Sequence, residues 1–517
     1  MRLLPQLLAG GLALLQSLVA GTPVPEYFEN APVTRRDLSV QKVEAELGRV
    51  LSRGTTIFGP SDSGWDEAVE RYNTFARPDI QIVVQPGKES DISRIVKYCN
   101  RNSIDFMVVN RGHAITSSVG TFKGLQIDMA SLTNIDIQPD MKTAWFQGGT
   151  YDGQVMEVLW EKGYVATTGS CSCVGMMGPG LGGGHGRYEG LYGLISDNLV
   201  NLNVVLADGK EIRVNNKRHS DLFWAMQGAG HNFGIVTSFE LKIYPRKVDS
   251  WHYHNYIWKQ DQLETVFEEL NKFHNNGSTP VLMGINFGLY MMDANVSDTE
   301  AILYWTFAYT GPAKDGEKLL KPFNAIPAVW DEQGDVPYPQ IADIQGTGMK
   351  SPLCAPETTH ITSTAGLKRY NITAQRNIYD LFNKKVAEHP EFKAARVVHE
   401  GYSNVGVRKR DSASSAFPFR DENHLMYFDA VIDEGSNLTE ATQQFAAEVR
   451  DLWNAGQPER KPSTYVNYAG GGESLESLYG WEPWRLQRLR RLKAKYDPNN
   501  RFRFYNPIIP EGGKKGN

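Results

Sequence analysis

The stretch 169–186 constrains this chain more than any other, with eight glycines among its eighteen residues (Gly-Ser-Cys-Ser-Cys-Val-Gly-Met-Met-Gly-Pro-Gly-Leu-Gly-Gly-Gly-His-Gly). Glycine at this density clears side chains away, so that backbone amides can approach a ligand closely, and it opens positive φ at many positions. Consecutive N–H groups in such a backbone form a concave anion site that suits a diphosphate. A flexible linker would be polar throughout, whereas Val174, Met176, Met177 and Leu181 demand burial. Within the stretch, Gly178-Pro-Gly180-Leu-Gly-Gly183 matches the dinucleotide-binding G-x-G-x-x-G string. That string has meaning only after a strand, at the start of a helix and with an acidic residue about 20 positions on. More glycines follow instead (Gly184, Gly186, Gly190, Gly193) and no amphipathic helix opens. The Rossmann reading fails on context.

At 517 residues the chain has room for two or three domains and a large core. A hydrophobic content of 41%, a charged content of 22% and a net charge of -5 carry no basic excess that would point to nucleic acid. Arg2 precedes an apolar run over 3–20 that leaves through Val19-Ala20-Gly21-Thr22, the pattern of a secretory signal peptide at 1–21. The run is too short and interrupted for a membrane span, and no later stretch approaches spanning length. Sequons at Asn276, Asn295, Asn371 and Asn437 fit glycosylation in the secretory pathway. Thr34-Arg-Arg-Asp37 reads equally as a dibasic processing site or an exposed turn. Four cysteines (Cys99, Cys171, Cys173, Cys354) are too sparse for a disulfide framework. Cys171 and Cys173 lie too close for an unstrained bridge. Cys99 with Cys354 is a possible pair, and Cys171 reads as a thiol with work other than crosslinking. No metal site is expected.

In chain order, 40–76 reads as a polar, helical lead-in, followed by a strand at 80–84 that Pro86-Gly87 stops. Apolar residues at 92, 95, 96 and 99 give a helix face capped by Ser90. A strand at 104–109 ends in the loop Asn110-Arg-Gly-His113, with further strands at 125–129 and 144–148 and a helix at 151–163. After the glycine stretch comes a hairpin, 201–206 with 211–214, turned at Asp208-Gly209. A second glycine loop, Gly228-Ala-Gly-His-Asn-Phe-Gly234, then feeds a strand through Ile235 and Val236. Loops at strand ends are where ligands sit in α/β structures. From Trp251 the texture changes to strands at 281–290, 301–308 and 425–431 with helices at 263–274, 367–388 and 439–453. An antiparallel sheet with helices on one face is the natural reading, and the chain as a whole is α+β. Tyr465-Val-Asn-Tyr468-Ala-Gly-Gly-Gly then precedes a Trp/Arg-rich helix at 484–496.

Arg111-Gly-His113, the 169–186 stretch, Gly193-Leu-Ile-Ser-Asp-Asn198, Asp221-Leu-Phe-Trp-Ala with its glycine loop, and Tyr465-Val-Asn-Tyr468 with Tyr496-Asp-Pro-Asn-Asn come in one order. Together they resemble the berberine bridge enzyme-like branch of the FAD-linked oxidases, with the vanillyl-alcohol oxidase (PCMH-type) flavoprotein fold. The resemblance spans residues 75–245 and 460–510. It implies a two-subdomain FAD-binding domain over 40–248, a substrate-binding domain over 249–458 and a C-terminal segment, 459–510, that completes the FAD domain.

It further implies FAD bonded through His113 at the 8α carbon and through Cys171 at C6, with Cys173 a small buried side chain. A neutral imidazole and a thiolate are the side-chain nucleophiles available near neutral pH. Around the cofactor it implies Arg111, Gly112, Val174, Gly175, Gly178, Gly182, Gly183, Asn198, Gly234, Ile235, Val236 and Asn467. Ile115 and Pro179 stand where the family often has an aromatic and a histidine. For chemistry it points to Tyr468 as base or orienting hydroxyl and to Tyr192 as a second tyrosine. The phenol's ordinary pKa near 10 would need lowering for base work. The family's carboxylate position falls on Phe428; Asp429 beside it, facing the other way, is a further candidate base, and a tyrosine base is favoured over it.

Val174 stands where the resemblance implies that a small side chain admits oxygen to the flavin, which leans towards an oxidase that passes electrons to O2 and releases hydrogen peroxide. Phe287, Tyr290, Met291, Met292, Trp305 and Tyr309 suit an apolar small-molecule substrate such as a secondary metabolite, and equally a core. An oligosaccharide oxidase acting at the anomeric carbon is the alternative, and a flavin-fold binding protein without turnover the second.

Overall fold

The structure is a computed structural model that describes residues 38–509. The expected signal peptide at 1–21 and the Arg35-Arg36 pair lie outside them. Strands β1 (Thr56–Phe58), β2 (Asp79–Gln85), β3 (Phe106–Val109) and β4 (Lys123–Asp128) form a sheet of order β1-β2-β4-β3. β2, β4 and β3 run parallel and β1 antiparallel. Parallel strands need a crossover, and the helix Glu89–Arg101 supplies it. Its stripe of Ile92, Ile95, Val96 and Cys99 is fully buried, each aliphatic side chain contributing about 1.5–3 kcal/mol. The N-cap residue is Lys88, and Asp91 in the first turn completes the cap, its carboxylate accepting from the Lys88 amide (3.1 Å) and the Ser52 amide (3.0 Å). Ser90 is not the cap. The expected lead-in at 40–76 is only partly helical, as Val40–Glu46 and Trp65–Val69 flank strand β1.

The second sheet contains β5 (Ile135–Ile137), β6 (Thr143–Gln147), β8 (Leu199–Val205), β9 (Glu211–Val214) and β10 (Ile235–Lys242), ordered β5-β6-β10-β8-β9 and antiparallel. A two-strand ribbon of β7 (Tyr164–Val165) with β11 (Tyr244–Pro245) lies beside it. The helix Pro483–Tyr496 returns here and buries Leu486, Leu489 and Leu492 in one core with Leu222, Phe223 and Phe239. Arg501 and Arg503 both donate to the buried Asp105 at the foot of β3, at 3.1 and 2.7 Å. The C-terminal segment is thereby locked to the first two sheets.

The third sheet has seven antiparallel strands: β12 (Trp251–Trp258), β13 (Met283–Asp293), β14 (Ser297–Tyr309), β15 (Trp330–Val336), β16 (Thr359–Leu367), β17 (Arg396–Tyr402) and β18 (His424–Ile432). Their order is β15-β12-β14-β13-β17-β18-β16. Helices Leu263–His274, Ala313–Asn324, Ile372–Glu388 and Thr439–Ala455 supply the core on one face, around Trp258, Trp305, Phe382 and Phe445. The other face turns towards the glycine loops. The α+β architecture is the expected one.

Two expectations change here. The helix expected at 367–388 begins only at Ile372, because 359–367 is a strand and the Asn371 side chain caps the helix by accepting from the Ala374 amide (3.0 Å). The glycine stretch does contain a short helix, Met177–Leu181. Asn295, Asn371 and Asn437 are exposed, while Asn276 lies in the turn Asn275–Gly277. Among the described residues no helix is long and apolar enough to cross a membrane.

Candidate active site

A cavity of about 420 Å³ lies where the inner face of the seven-stranded sheet meets the glycine loops. From the first two sheets it takes Arg111, Gly112 and His113 after β3, Cys171, Val174, Gly175 and Gly178 from the glycine stretch, and Gly234, Ile235 and Val236 at the start of β10. The third sheet adds Ile285, Phe287 and Leu289 of β13, Val398, Glu400 and Tyr402 of β17, and Tyr427 and Asp429 of β18. Asn467 and Tyr468 come from the C-terminal segment. Alternate residues of each strand point the same way, which is why these sheet residues share a face.

Glycine is required at particular points of this wall. Gly112 sits at φ +67, and a Cβ on Gly175 would meet the Asn110 amide nitrogen at 2.6 Å. That amide is committed, donating to the Gly148 and Thr150 carbonyls at 3.1 and 2.8 Å. The missing side chain of Gly178 faces open space, with no atom within 4 Å. Asn467 donates to the Pro179 carbonyl (3.0 Å) and to the Tyr465 hydroxyl (2.7 Å), joining the C-terminal segment to the stretch.

His113 pairs through Nδ1 with the Arg111 carbonyl at 2.9 Å. A carbonyl only accepts, so Nδ1 carries the proton and Nε2 keeps its lone pair. Nε2 is buried and has no partner. Burial lowers the imidazole pKa to about 4, so the ring is neutral near pH 7. It stacks on Tyr72 (5.0 Å, 13°), which stacks in turn on His360 (4.2 Å, 21°). His360 is held by Asp429 at 2.8 Å.

Cys171 is free, and its sulfur lies 3.5 Å from that of Cys173 and 3.6 Å from that of Cys354. Burial pushes its thiol up to about 12. Covalent chemistry there starts with a proton leaving sulfur. Cys173 and Cys354 form a disulfide, with Cα atoms 5.9 Å apart. This corrects both cysteine expectations: Cys99 is buried under β2 and β4 and pairs with nothing, and Cys173 is a crosslink. Together with the bond from the Ser172 amide to the Thr347 carbonyl (2.9 Å), the disulfide fastens the segment before β16 across the glycine stretch.

The residue that sequence reasoning missed is Glu400. Its carboxylate accepts from the Tyr468 hydroxyl at 2.9 Å and from the Tyr402 hydroxyl at 3.1 Å. Burial raises the carboxyl above its usual range. The Tyr468 phenol is raised well above 10, by burial first and then by the Glu400 charge, the opposite of what an unaided tyrosine base needs. Phe428 faces the helix-side core, whereas Asp429 lines the cavity in its pair with His360.

Four expected site residues do not line the cavity. Tyr192 stacks flat on Tyr244 at 3.6 Å. Asn198 donates to the Tyr192 and Leu194 carbonyls (3.1 and 2.8 Å) and accepts from the Tyr244 hydroxyl (2.7 Å), which braces the turn around Gly193. Gly182 and Gly183 instead make room for Asn467 and Phe417, which a Cβ would meet at 2.3 and 2.6 Å.

The residues present fit FAD. An unpartnered imidazole nitrogen, a thiol and an open glycine cradle line one cavity, where a ring system and a diphosphate each have matching chemistry. Residues 80–215 match the model of an FAD binding domain, and residues 464–509 that described as berberine and berberine like. An FAD-linked oxidoreductase of Pyricularia oryzae is 53% identical over 513 residues, 97% of this chain and 99% of that one. Among solved structures, Physcomitrella patens BBE-like 1 superposes with a TM-score of 0.77 at 19% identity, over 93% of this chain and 100% of that one. Glucooligosaccharide oxidase from Acremonium strictum, whose FAD is 6-S-cysteinyl, 8α-N1-histidyl, does so with a TM-score of 0.75 at 21% identity, over 91% and 99%. At such identities the two structures speak for the fold alone. The identity to the Pyricularia protein over nearly the whole chain does more, and with it this chain belongs to the berberine-like family of FAD-linked oxidoreductases.

Proposed function

We propose that this chain is a secreted oxidase that removes a hydride and a proton from an alcohol, or a similar C–H centre, of an apolar small molecule. The observation that carries the reading is the Tyr468–Glu400 hydrogen bond, in the same cavity as His113 and Cys171. Bound FAD supplies the hydride acceptor, with dioxygen as the terminal oxidant and hydrogen peroxide as the product. His113 through Nε2 and Cys171 through sulfur are the residues we assign to hold it covalently, over the cradle of Gly112, Gly175, Gly178 and Gly234.

The protein's own work is proton transfer and positioning. A substrate hydroxyl against the Tyr468 oxygen gives up its proton there as the Tyr468 proton moves to Glu400. One proton thus ends on the carboxylate, matching the hydride that leaves carbon. A carboxyl raised by burial is a better proton acceptor near neutral pH than an ordinary one. Tyr402 fixes the second carboxylate oxygen.

Ile285, Phe287, Leu289 and Val398 give the substrate side an apolar wall, which favours a secondary metabolite over a sugar. The oligosaccharide alternative draws on the solved oligosaccharide oxidase of the same fold. Peroxide release from a panel of oligosaccharides and apolar alcohols separates the two. Turnover of apolar alcohols, abolished by Glu400→Gln, is expected; turnover of sugars alone would overturn the substrate assignment. Bleaching of the flavin by no member of the panel would favour a binding protein. The exposed sequons at Asn295, Asn371 and Asn437 support passage through the secretory pathway. A glycosidase-sensitive mass on protein from a eukaryotic host tests it.

A further inference from the structure

On the far side of the seven-stranded sheet, away from the cavity, two buried histidines of β12 converge on one carboxylate. His252 Nε2 and His254 Nδ1 each lie 2.8 Å from Oε1 of Glu317, which the helix Ala313–Asn324 lays over the strand. The three ligand atoms are mutually within 4.8 Å. The His252 and His254 side chains are 2% and 3% exposed, whereas that of Glu317 is 24% exposed and gives a way in from solvent.

The outer nitrogens of the rings are also committed. His252 Nδ1 lies 3.0 Å from Asp335 and His254 Nε2 lies 3.3 Å from Asp331, both on the neighbouring edge strand β15. Asn324 donates to the second oxygen of Glu317 at 2.8 Å and is itself held by the Tyr256 hydroxyl. A carboxylate behind each imidazole, fixing its tautomer and aiming the opposite nitrogen, is how proteins prepare histidines for a metal.

We propose that His252 Nε2, His254 Nδ1 and Glu317 bind a divalent transition-metal cation of the zinc type, oriented by Asp335 and Asp331 and completed by water on the exposed side. Charge supports the assignment. For all four ring contacts to be hydrogen bonds, every ring nitrogen must carry a proton, so two imidazolium rings would face three carboxylates. A divalent cation between the inner nitrogens replaces two of those protons, leaves the outer N–H groups on Asp335 and Asp331, and keeps the net charge of the cluster unchanged. Distance supports it too. Zinc bonds of about 2.0–2.2 Å set tetrahedral ligands about 3.3 Å apart; each histidine nitrogen already lies within about half an ångström of that spacing from Glu317 Oε1, and the three atoms together lie within 4.8 Å. The cation would clip β12 to the helix that covers it, a structural site independent of the flavin.

The test uses the full-length, tag-free, flavin-loaded protein, stripped with a chelator and dialysed. Zinc uptake is measured by equilibrium dialysis and mass spectrometry, and cobalt is added as a spectroscopic surrogate that absorbs at longer wavelength than flavin. One zinc per chain is expected, with a rise in unfolding temperature and a cobalt ligand-field band. Glu317→Gln should weaken zinc binding at least tenfold and remove the band. Asp335→Asn, a change at a half-exposed edge position that leaves the fold intact, should weaken it by about tenfold by releasing the His252 ring. Zinc uptake by the wild type no greater than that of Glu317→Gln, or equal affinities in the wild type and Asp335→Asn, would overturn the site and leave the cluster an ion-pair network.

Discussion

At the residue scale, two phenols share one buried carboxylate, and the proposed chemistry rests on that arrangement. Tyr468 cannot serve as a free phenolate, because burial and the Glu400 charge both raise it. It can pass a proton on, because Glu400 accepts at 2.9 Å. Glu400→Gln keeps the shape and removes the acceptor, so kcat/KM should fall by about a hundred- to ten-thousand-fold with the flavin still bound. A fall below tenfold would remove Glu400 from the reaction. Since the carboxylate must be ionised to accept, wild-type kcat/KM should rise with pH through a pKa above the usual glutamate range, a limb that Glu400→Gln should lose. His113, Cys171 and Tyr468 were legible in the sequence because each sits in a local motif. Glu400 was not, since nothing in Arg-Val-Val-His-Glu-Gly-Tyr402 marks it until the fold turns it to the cavity face with Tyr402 and brings Tyr468 against it. Asn198 and Tyr192 stand in a motif too, yet their side chains brace the turn at Gly193.

The elements that shape the cavity differ in how openly the sequence shows them. Helices Glu89–Arg101, Leu263–His274 and Thr439–Ala455 bury one face, so their periodicity of 3.6 is visible. Strands β12, β16 and β17 are buried on both faces, and a strand so placed shows no alternation by which to be recognised. The Cys173–Cys354 pairing was equally hidden, as connectivity does not follow from spacing. That bridge closes a loop of sequence separation 181. Cys354→Ser should therefore lower stability by about 2–4 kcal/mol, read by denaturant unfolding. Flavin attachment should persist, because Cys171 is outside the bond. Loss of attached flavin in this variant would show that the bridge, and not the glycine backbone, holds the stretch in place.

At the scale of the whole molecule, the cavity exists because a chain of two textures folds one sheet face onto loops that begin far earlier in sequence. Burial on this scale also stores neutral histidines. His274 accepts from the Asn286 amide through Nε2 at 2.9 Å, and desolvation lowers it to about 4 and His399 to about 3. Both folded values lie below the unfolded value near 6.5, so their contribution is present above pH 6.5 and is lost as pH falls towards 4, at about 1.4 kcal/mol for each unit of difference. Unfolding temperature should drop across that window, and His399→Gln should flatten the drop. The central claim is that His113 and Cys171 grip one flavin in this cavity, and peptide mass spectrometry of acid-precipitated protein tests it directly. A yellow pellet is expected, with the flavin mass on the peptides containing His113 and Cys171 and lost from each on substitution by alanine. A colourless pellet with both peptides unmodified would contradict it.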